Sequence, residues 1–93
     1  MEVKFTIHYH DKVIKEDIPD LSLVWKKKIK KAIEDKLVSH PEIFGKPLRQ
    51  SLKGYRKLRV GNYRIIFRIE TKKVKIFVIQ NRSVVYQTMK HRK

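Results

Sequence analysis

The stretch Tyr55-Arg-Lys-Leu-Arg-Val60, followed by Gly61-Asn62 and Tyr63-Arg-Ile-Ile-Phe-Arg-Ile69, decides the fold of this chain. Its two outer segments alternate apolar and charged side chains, as half-buried strands do. The Gly-Asn pair between them supplies the positive φ angles that a tight two-residue turn needs. The stretch therefore predicts a β-hairpin.

The register of this hairpin divides its side chains between an apolar face and a cationic face. The predicted cross-strand pairs are Val60–Tyr63, Arg59–Arg64, Leu58–Ile65 and Lys57–Ile66. Because successive side chains point to opposite faces, one face is apolar and consists of Leu58, Val60, Tyr63, Ile65, Phe67 and Ile69. The other face consists of Tyr55, Lys57, Arg59, Arg64 and Arg68. Like charges that face each other across strands lower the stability of a sheet. Binding to a polyanionic partner explains why so many cations share this face.

The composition agrees with a polyanionic partner. The chain has 24 Lys and Arg against 9 Asp and Glu, a formal net charge of +15 on 93 residues. Such a charge attracts nucleic acid, an acidic protein or an anionic membrane surface. A membrane is the weakest of these, because no long apolar run, signal peptide or lipidation motif is present. The absence of cysteine excludes disulfides and thiolate metal sites and fits a cytoplasmic location.

The remaining pattern predicts one domain spanning residues 1–93. Alternation over Glu2–His10, with Val3, Phe5, Ile7 and Tyr9 apolar, predicts the first strand. A short helix over about 11–18 is expected to end at Pro19-Asp20. Ser22 is a candidate N-cap for a longer helix that ends near Ser39.

The longer helix carries an apolar stripe of Val24, Trp25, Ile29, Ala32, Ile33 and Leu37, with a lysine-rich opposite side. After a connection over 41–54 and the hairpin, Val74-Lys-Ile-Phe-Val-Ile79 is apolar on nearly both faces and predicts an interior strand. A final helix is expected over about Ser83 to Lys90. The predicted fold is α+β, in the order β-α-α-β-β-β-α, with a twisted, mainly antiparallel four-stranded sheet and the two early helices packed on one face.

Three segments together resemble a known family. They are Lys46-Pro-Leu-Arg49, the hairpin with Gly61-Asn-Tyr-Arg64, and Asn81-Arg-Ser-Val-Val-Tyr86 after an apolar strand. Their order and spacing resemble the RelE/ParE toxins of type II toxin–antitoxin systems, and the resemblance spans most of the chain. It implies the RelE-like fold and a toxin that a cognate antitoxin holds silent.

The resemblance leaves the activity open between two branches. RelE toxins are endoribonucleases that cut mRNA in the ribosomal A site, whereas ParE toxins inhibit DNA gyrase. Both share one fold, so the fold cannot choose between them. The expected function is that of the RelE branch, a ribosome-dependent mRNA interferase that needs no metal or cofactor. The alternatives are a ParE-like gyrase inhibitor and a non-catalytic basic module that binds nucleic acid.

The resemblance also implies roles for individual residues. The family's catalytic lysine matches Lys57, its phosphate-binding arginine matches Arg64, and its C-terminal arginine and tyrosine match Arg82 and Tyr86. The residues expected to bind flanking RNA are Lys53, Tyr55, Arg56, Arg59, Arg68 and Asn81.

Two departures from the family pattern leave the proton-transfer groups open. Tyr55 replaces a second lysine, and Asn81 stands where relatives often have histidine. Lys53 or Arg56 could take over the missing lysine's role by position. His8 and His10 share a strand face, but no third ligand is suitably spaced, so no metal site is expected.

The antitoxin is expected to use an extended or disordered arm that folds on the toxin beside the cations. Displacement of the last helix, Ser83–Lys90, would then disable the site without disturbing the core.

Overall fold

A five-stranded mixed sheet forms the centre of the computed structural model, which describes residues 4–93. Its strands are β1 (Thr6–Tyr9), β2 (Lys46–Pro47), β3 (Arg56–Val60), β4 (Tyr63–Glu70) and β5 (Lys73–Asn81). Their spatial order is β1-β5-β4-β3-β2. Only β1 and β5 pair in parallel, and the other neighbours are antiparallel. The α+β class and the interior position of β5 are confirmed.

The predicted count of four strands was one too low. The additional strand, β2, is two residues long and pairs Lys46 with Lys57 and Pro47 with Arg56. So short a strand has no alternating pattern, and the proline within it is tolerated because β2 lies at the edge of the sheet. The first strand is also shorter than predicted, and its expected start at Glu2 and Val3 lies outside the described residues.

The hairpin has the predicted register, with Arg59 opposite Arg64 and Val60 opposite Tyr63. Its turn differs from the prediction in one respect. Gly61 has φ +59°, but the described non-glycine residues with positive φ are Gln50 and Thr71, so Asn62 has none. A two-residue turn of type II′ needs a positive φ only at its first central position.

Four helices surround the sheet, and a single 3-10 turn, Gln50–Leu52, lies between β2 and β3. The helices are α1 (π-helical Val13–Asp17 continued by Ile18–Asp20), α2 (Leu23–Ala32 continued by π-helical Ile33–Leu37), α3 (Pro41–Phe44) and α4 (Val85–Met89). None of the helices in residues 4–93 has the length and apolar character required to cross a membrane.

Two single residues bear on the ends of the early helices, Ser22 at the start of α2 and Pro19 near the end of α1. The Ser22 hydroxyl caps α2 by accepting the Trp25 N–H at 3.3 Å, as predicted. Pro19 was expected to break α1, but the helix continues to Asp20. The turn before the proline is π-helical, with the Ile18 N–H bonded to the Val13 carbonyl, and this wider turn avoids the tight contact that proline makes in a regular α-helix.

The main core lies between α1, α2 and one face of the sheet. Its buried members are Val13, Leu21, Ile29, Ile33, Leu37, Leu58, Ile65, Phe67, Val74, Ile76 and Ile79. Trp25 packs against this core and lies 4.8 Å from the Tyr63 ring, centroid to centroid. Val24 does not belong to the predicted stripe, because its side chain is 60% exposed. It is one residue, or about 100°, away from Trp25 around the helix.

A second core covers part of the face that was predicted to be cationic. It consists of Ile66, Phe77, Val78, Val85 and Met89, with Tyr55 and Tyr86 packed at its edge. Helix α4 supplies two of these residues and holds this cluster against β4 and β5. The cationic face is therefore confined to the part of the sheet that α4 leaves uncovered.

An apolar groove of about 580 Å³ opens on the other face, between β1, α1 and α2. Its apolar lining includes Ile7, Tyr9, Ile14, Ile18, Leu21, Ile29 and Ile33, and Lys26, Lys30 and Glu34 also line it. Burial, together with the nearby Glu34 charge, raises the pKa of Tyr9, so this phenol stays neutral across the physiological range.

We predict that Gly45→Ala will destabilise the protein by about 1–3 kcal/mol through overpacking. A Cβ at this position would lie 2.2 Å from Cζ of Phe67 and 2.9 Å from the Pro41 carbonyl oxygen. The loss should shrink in a Phe67→Leu background, where the ring edge is absent. Urea unfolding of the four proteins in this double-mutant cycle measures the coupling.

Gly54→Ala is the control for this cycle. Gly54 has φ +98°, and a Cβ added to it would point into open space, so its substitution costs conformational strain alone. Its cost should be the same with phenylalanine or leucine at position 67. Equal costs of Gly45→Ala in both backgrounds would contradict the packing explanation.

Candidate functional site

A basic depression of about 300 Å³ lies beside β3, where the edge of the sheet meets α2 and α3. Its lining consists of Lys36, Phe44, Lys46, Lys57, Leu58, Arg59 and Arg64. Five of these seven side chains are cations, and the lining has no carboxylate among the described residues. This arrangement favours a ligand with several negative charges.

Sheet pairing forces the cations of the depression together. Arg59 lies directly opposite Arg64, and Lys46 lies directly opposite Lys57. Like charges placed across strands destabilise a sheet. The depression therefore retains two unfavourable pairs that packing does not require.

Arg64 is held by the hairpin turn next to it. Its Nη1 donates to the carbonyl oxygens of Gly61 and Tyr63, both at 3.0 Å. The guanidinium makes no other hydrogen bond and no ion pair within residues 4–93, so its Nε and Nη2 donors are available to a ligand. Planar donors of this kind match the geometry of phosphate oxygens.

The other two predicted catalytic residues lie beyond the end of β5. The Arg82 N–H bonds to the Asn62 carbonyl at 2.8 Å, which places Arg82 beside the hairpin turn, and its side chain is exposed. Tyr86 is half-buried on α4 and packs on the second core. That core includes Ile66, the cross-strand partner of Lys57.

Asn81 shapes the turn between β5 and α4. Its Oδ1 accepts the Ser83 N–H and the Ser83 hydroxyl, both at 3.0 Å. A side-chain carbonyl that bonds two residues ahead stabilises a turn. This contact gives Asn81 a structural role next to Arg82.

Tyr55 and Arg68 form a stack outside the depression. The Tyr55 ring meets Phe77 edge-on at 5.2 Å, and the Arg68 guanidinium carbon lies 5.4 Å from the Tyr55 ring centroid. Arg68 also forms an ion pair with Glu70. The hydrogen bond and the charge of Arg68 lower the pKa of the Glu70 carboxyl, so Glu70 stays ionised and competes with phosphate for Arg68.

Arg56 and Lys53 also lie apart from the depression. The Arg56 Nη1 donates to the carbonyl oxygens of Glu42 at 3.2 Å and Gly45 at 2.9 Å, which ties β3 to α3. Lys53 is exposed on the loop before β3.

The structure thus brings three of the predicted site residues, Lys57, Arg59 and Arg64, into one depression, with Arg82 beside the same turn. Lys36 and Lys46 are new members that the sequence did not single out as ligands. Lys46 belongs to the motif before the hairpin, but only strand pairing places it opposite Lys57. No cluster of metal-ligating side chains occurs in the part of the chain that the structure describes.

Comparison with known proteins identifies the family. A family model described as "ParE toxin of type II toxin–antitoxin system, parDE" matches residues 8–86. The chain belongs to this family. It is a toxin of the RelE/ParE superfamily, as the three motifs predicted. A search of curated protein sequences finds no significant match to the toxin.

Solved structures agree with this assignment. The toxin is similar to a chain of the toxin–antitoxin complex RelBE2 from Mycobacterium tuberculosis, with a TM-score of 0.79 and 26% identity over 87% of this chain and 94% of that one. YafQ from E. coli shares the fold, with a TM-score of 0.56 and 16% identity over 87% and 97% of the two chains. HP0894 from Helicobacter pylori also shares it, with a TM-score of 0.61 and 8% identity over 85% and 96%.

We predict that Arg59→Glu will stabilise the free toxin by about 0.2–1 kcal/mol, because it replaces a repulsive pair with an attractive one opposite Arg64. Thermal or urea unfolding at low salt measures this gain, which should shrink at high salt as the charges are screened. Lys53→Glu is the control, because it makes the same charge change on an exposed loop. A gain equal to that of the control would assign the effect to net charge instead of cross-strand pairing.

Proposed function

We propose that the toxin is an mRNA endoribonuclease that cleaves on the ribosome, without a metal ion, by attack of the RNA 2′-OH on the adjacent phosphate. The observation that supports this most strongly is the basic depression, where cross-strand pairing concentrates cations with no carboxylate among the described residues. Similarity to the RelBE2 toxin–antitoxin complex supports the same branch of the superfamily.

The chemistry needs few protein groups because RNA carries its own nucleophile. The protein must align the 2′-OH with the phosphorus and the leaving 5′-oxygen, and it must stabilise the added negative charge of the transition state. Fixed cations on a rigid sheet meet both requirements, because their positions do not change as charge develops. The reaction leaves a 2′,3′-cyclic phosphate or, after hydrolysis, a 3′-phosphate.

In this proposal Arg64 and Arg82 bind the reacting phosphate. The turn carbonyls orient the Arg64 guanidinium through Nη1, which leaves its other edge for a phosphate. Arg59, which lies opposite Arg64 on the neighbouring strand β3, binds a flanking phosphate of the RNA. Tyr86 stacks on a base or positions the 2′-OH, since recognition of single-stranded RNA commonly uses aromatic rings.

Lys57 has a further role in proton transfer. The depression contains no histidine or carboxylate among the described residues, and arginine does not exchange protons in the physiological range. The lysines are therefore the side chains of the depression that can transfer a proton. Lys57 lies on the strand next to Arg64, so it is the proposed charge stabiliser and the proton donor to the leaving 5′-oxygen. The proton of the attacking 2′-OH passes to water.

Inhibition of DNA gyrase is the second candidate, because the family model that matches carries the ParE description. A gyrase inhibitor would not require the cations of the depression to act in chemistry. Purified toxin that blocks gyrase supercoiling and leaves translated mRNA intact would favour this branch. Binding of RNA without cleavage or toxicity would instead favour a non-catalytic module.

The partner of a toxin in this family is an antitoxin, and the apolar groove is the surface that we propose it covers. The groove is lined by aliphatic side chains together with Lys26 and Lys30, on a helix rich in lysine. An antitoxin segment with apolar residues on one side and acidic residues beside them would complement it. Displacement of α4 by the antitoxin stays a prediction.

Arg64→Ala is predicted to lower the cleavage rate by about 10²–10³-fold, the usual cost of removing one donor to a transition-state charge. Primer extension on mRNA after brief expression of the toxin locates the cuts, and a reconstituted translation reaction without antitoxin measures the rate. Lys26→Ala removes a cation away from the depression, so this matched control should leave the rate unchanged. Equal losses in the two variants would count against the mechanism.

Ile14→Glu is predicted to weaken antitoxin binding by about tenfold or more, because it places a carboxylate in an apolar interface. The Ile14 side chain is 56% exposed in the free toxin, so the substitution leaves the fold intact. Ile43→Glu is the matched control, since Ile43 is 69% exposed and lies outside the groove. Titration calorimetry with the cognate antitoxin compares them, and equal affinities would exclude the groove.

A further inference from the structure

A buried ion pair joins the two ends of the toxin. Asp17 on α1 and Arg92 after α4 are 2% and 7% exposed, and they are the buried charged residues of the described chain. Their contact is bidentate, with Arg92 Nη1 at 2.5 Å from Oδ2 of Asp17 and Nη2 at 3.0 Å from Oδ1. Two parallel hydrogen bonds fix the mutual orientation of the groups.

Both members of the pair also bond to β5. The Asp17 carboxylate accepts the Ile79 N–H and the Gln80 Nε2, each at 2.9 Å. Arg92 Nη1 donates to the Phe77 carbonyl at 3.1 Å. These contacts satisfy the Ile79 N–H and the Phe77 carbonyl where β1 has ended and β5 has no neighbouring strand on that side.

The same network reaches α4 by a second route. The Thr88 hydroxyl bonds to Oε1 of Gln80 at 2.5 Å, and Gln80 is the cross-strand partner of Arg64. Helix α4 is therefore attached to the sheet by Thr88 within it and by Arg92 just after it. We call Asp17, Gln80, Thr88 and Arg92 the α4 clamp.

Stability alone does not account for the clamp. Removing charges from water is costly, and apolar residues of similar size often serve equally well in such a position. What an apolar replacement lacks is a fixed orientation. At five residues, α4 is too short to hold a helical shape without outside contacts.

We propose that Asp17 and Arg92 are positioning residues, which hold α4 so that Tyr86 keeps its place on the second core, the core that contains Ile66, the cross-strand partner of Lys57. The role in cleavage rests on the proposed function, whereas the restraint of α4 does not. Tyr86 packs on the second core, to which β4 and β5 contribute, so a shift of α4 moves Tyr86 relative to the strands. Neither Asp17 nor Arg92 needs to touch RNA.

The test uses the double variant Asp17→Asn/Arg92→Met. It removes both buried charges, and the introduced asparagine side chain keeps an acceptor for the Ile79 N–H, so no unpaired charge is left in the core. Hydrogen exchange should speed up by about tenfold or more at the amides of Thr88 and Met89, which are the α4 amides with a helical acceptor four residues earlier, and stay slow in β4 and β5. On the ribosome, kcat should fall by about 10- to 100-fold with little change in KM, because a small misplacement reduces rate more than binding.

Arg92→Lys and Lys93→Met complete the set. Arg92→Lys keeps a cation and should recover part of both the protection and kcat, and it provides the same readouts if the double variant does not fold. Lys93→Met removes the adjacent cation, which bonds only to the Ser51 carbonyl in the described chain, and should change neither readout.

Unchanged exchange at Thr88 and Met89 would overturn the clamp. Faster exchange with an unchanged kcat would overturn its positioning role. If Arg64→Ala cleaves normally, the proposed function fails, but the exchange experiment still decides whether the clamp restrains α4.

Discussion

Burial of β5 on both faces is the constraint on which the rest of this fold depends. Val74, Ile76 and Ile79 face α1 and α2, whereas Phe77 and Val78 face α4, and all five are buried. Ordinary alternation would place Phe77 and Val78 on opposite faces. The irregularity opposite Ile66 and Phe67 allows both to join the second core, because a bulge resets the alternation of one strand. Strand β5 thereby packs against α1 and α2 on one face of the sheet and against α4 on the other.

The distribution of charge follows from this arrangement. Helix α4 and the second core occupy the part of the sheet near β5, so the unpartnered cations collect near β3, the strand next to the short edge strand. Repulsion between Arg59 and Arg64, or between Lys46 and Lys57, acts on exposed or half-buried groups and is moderated by solvent. A sheet with two cores tolerates that cost, and the phosphate ligand that we propose would remove it.

The features that were predictable from the sequence are those set by neighbouring residues. The hairpin register follows from one turn, the Ser22 cap from one hydroxyl, and the interior position of β5 from its continuous apolar run. The second core, the strand β2 and the bulge depend on contacts between distant segments, which leave no periodic signal. For the same reason, Lys36 and Lys46 were not predicted to line the basic depression. Only the folded chain brings them close to Lys57.

Asp17 and Arg92 illustrate this limit most clearly. In the sequence, each is one charge among many in a chain with 24 cations, and 75 positions separate them. Nothing local distinguishes Arg92 from the exposed lysines beside it. Their partnership arises because α1 and the end of α4 meet at the same edge of β5, which is a property of topology.

Helix α1 links the apolar groove to the clamp that holds α4. Ile14 and Ile18 line the groove, whereas Asp17 points to β5 and holds Arg92. The groove lies beside β1 and the basic depression beside β3, so two other strands separate the strands that they border. The groove and the α4 clamp are connected through α1, because a domain of this size has few elements and each must contact more than one neighbour. Asp17 and its neighbour Ile18 reach different surroundings, because successive residues of a helix point about 100° apart around its axis.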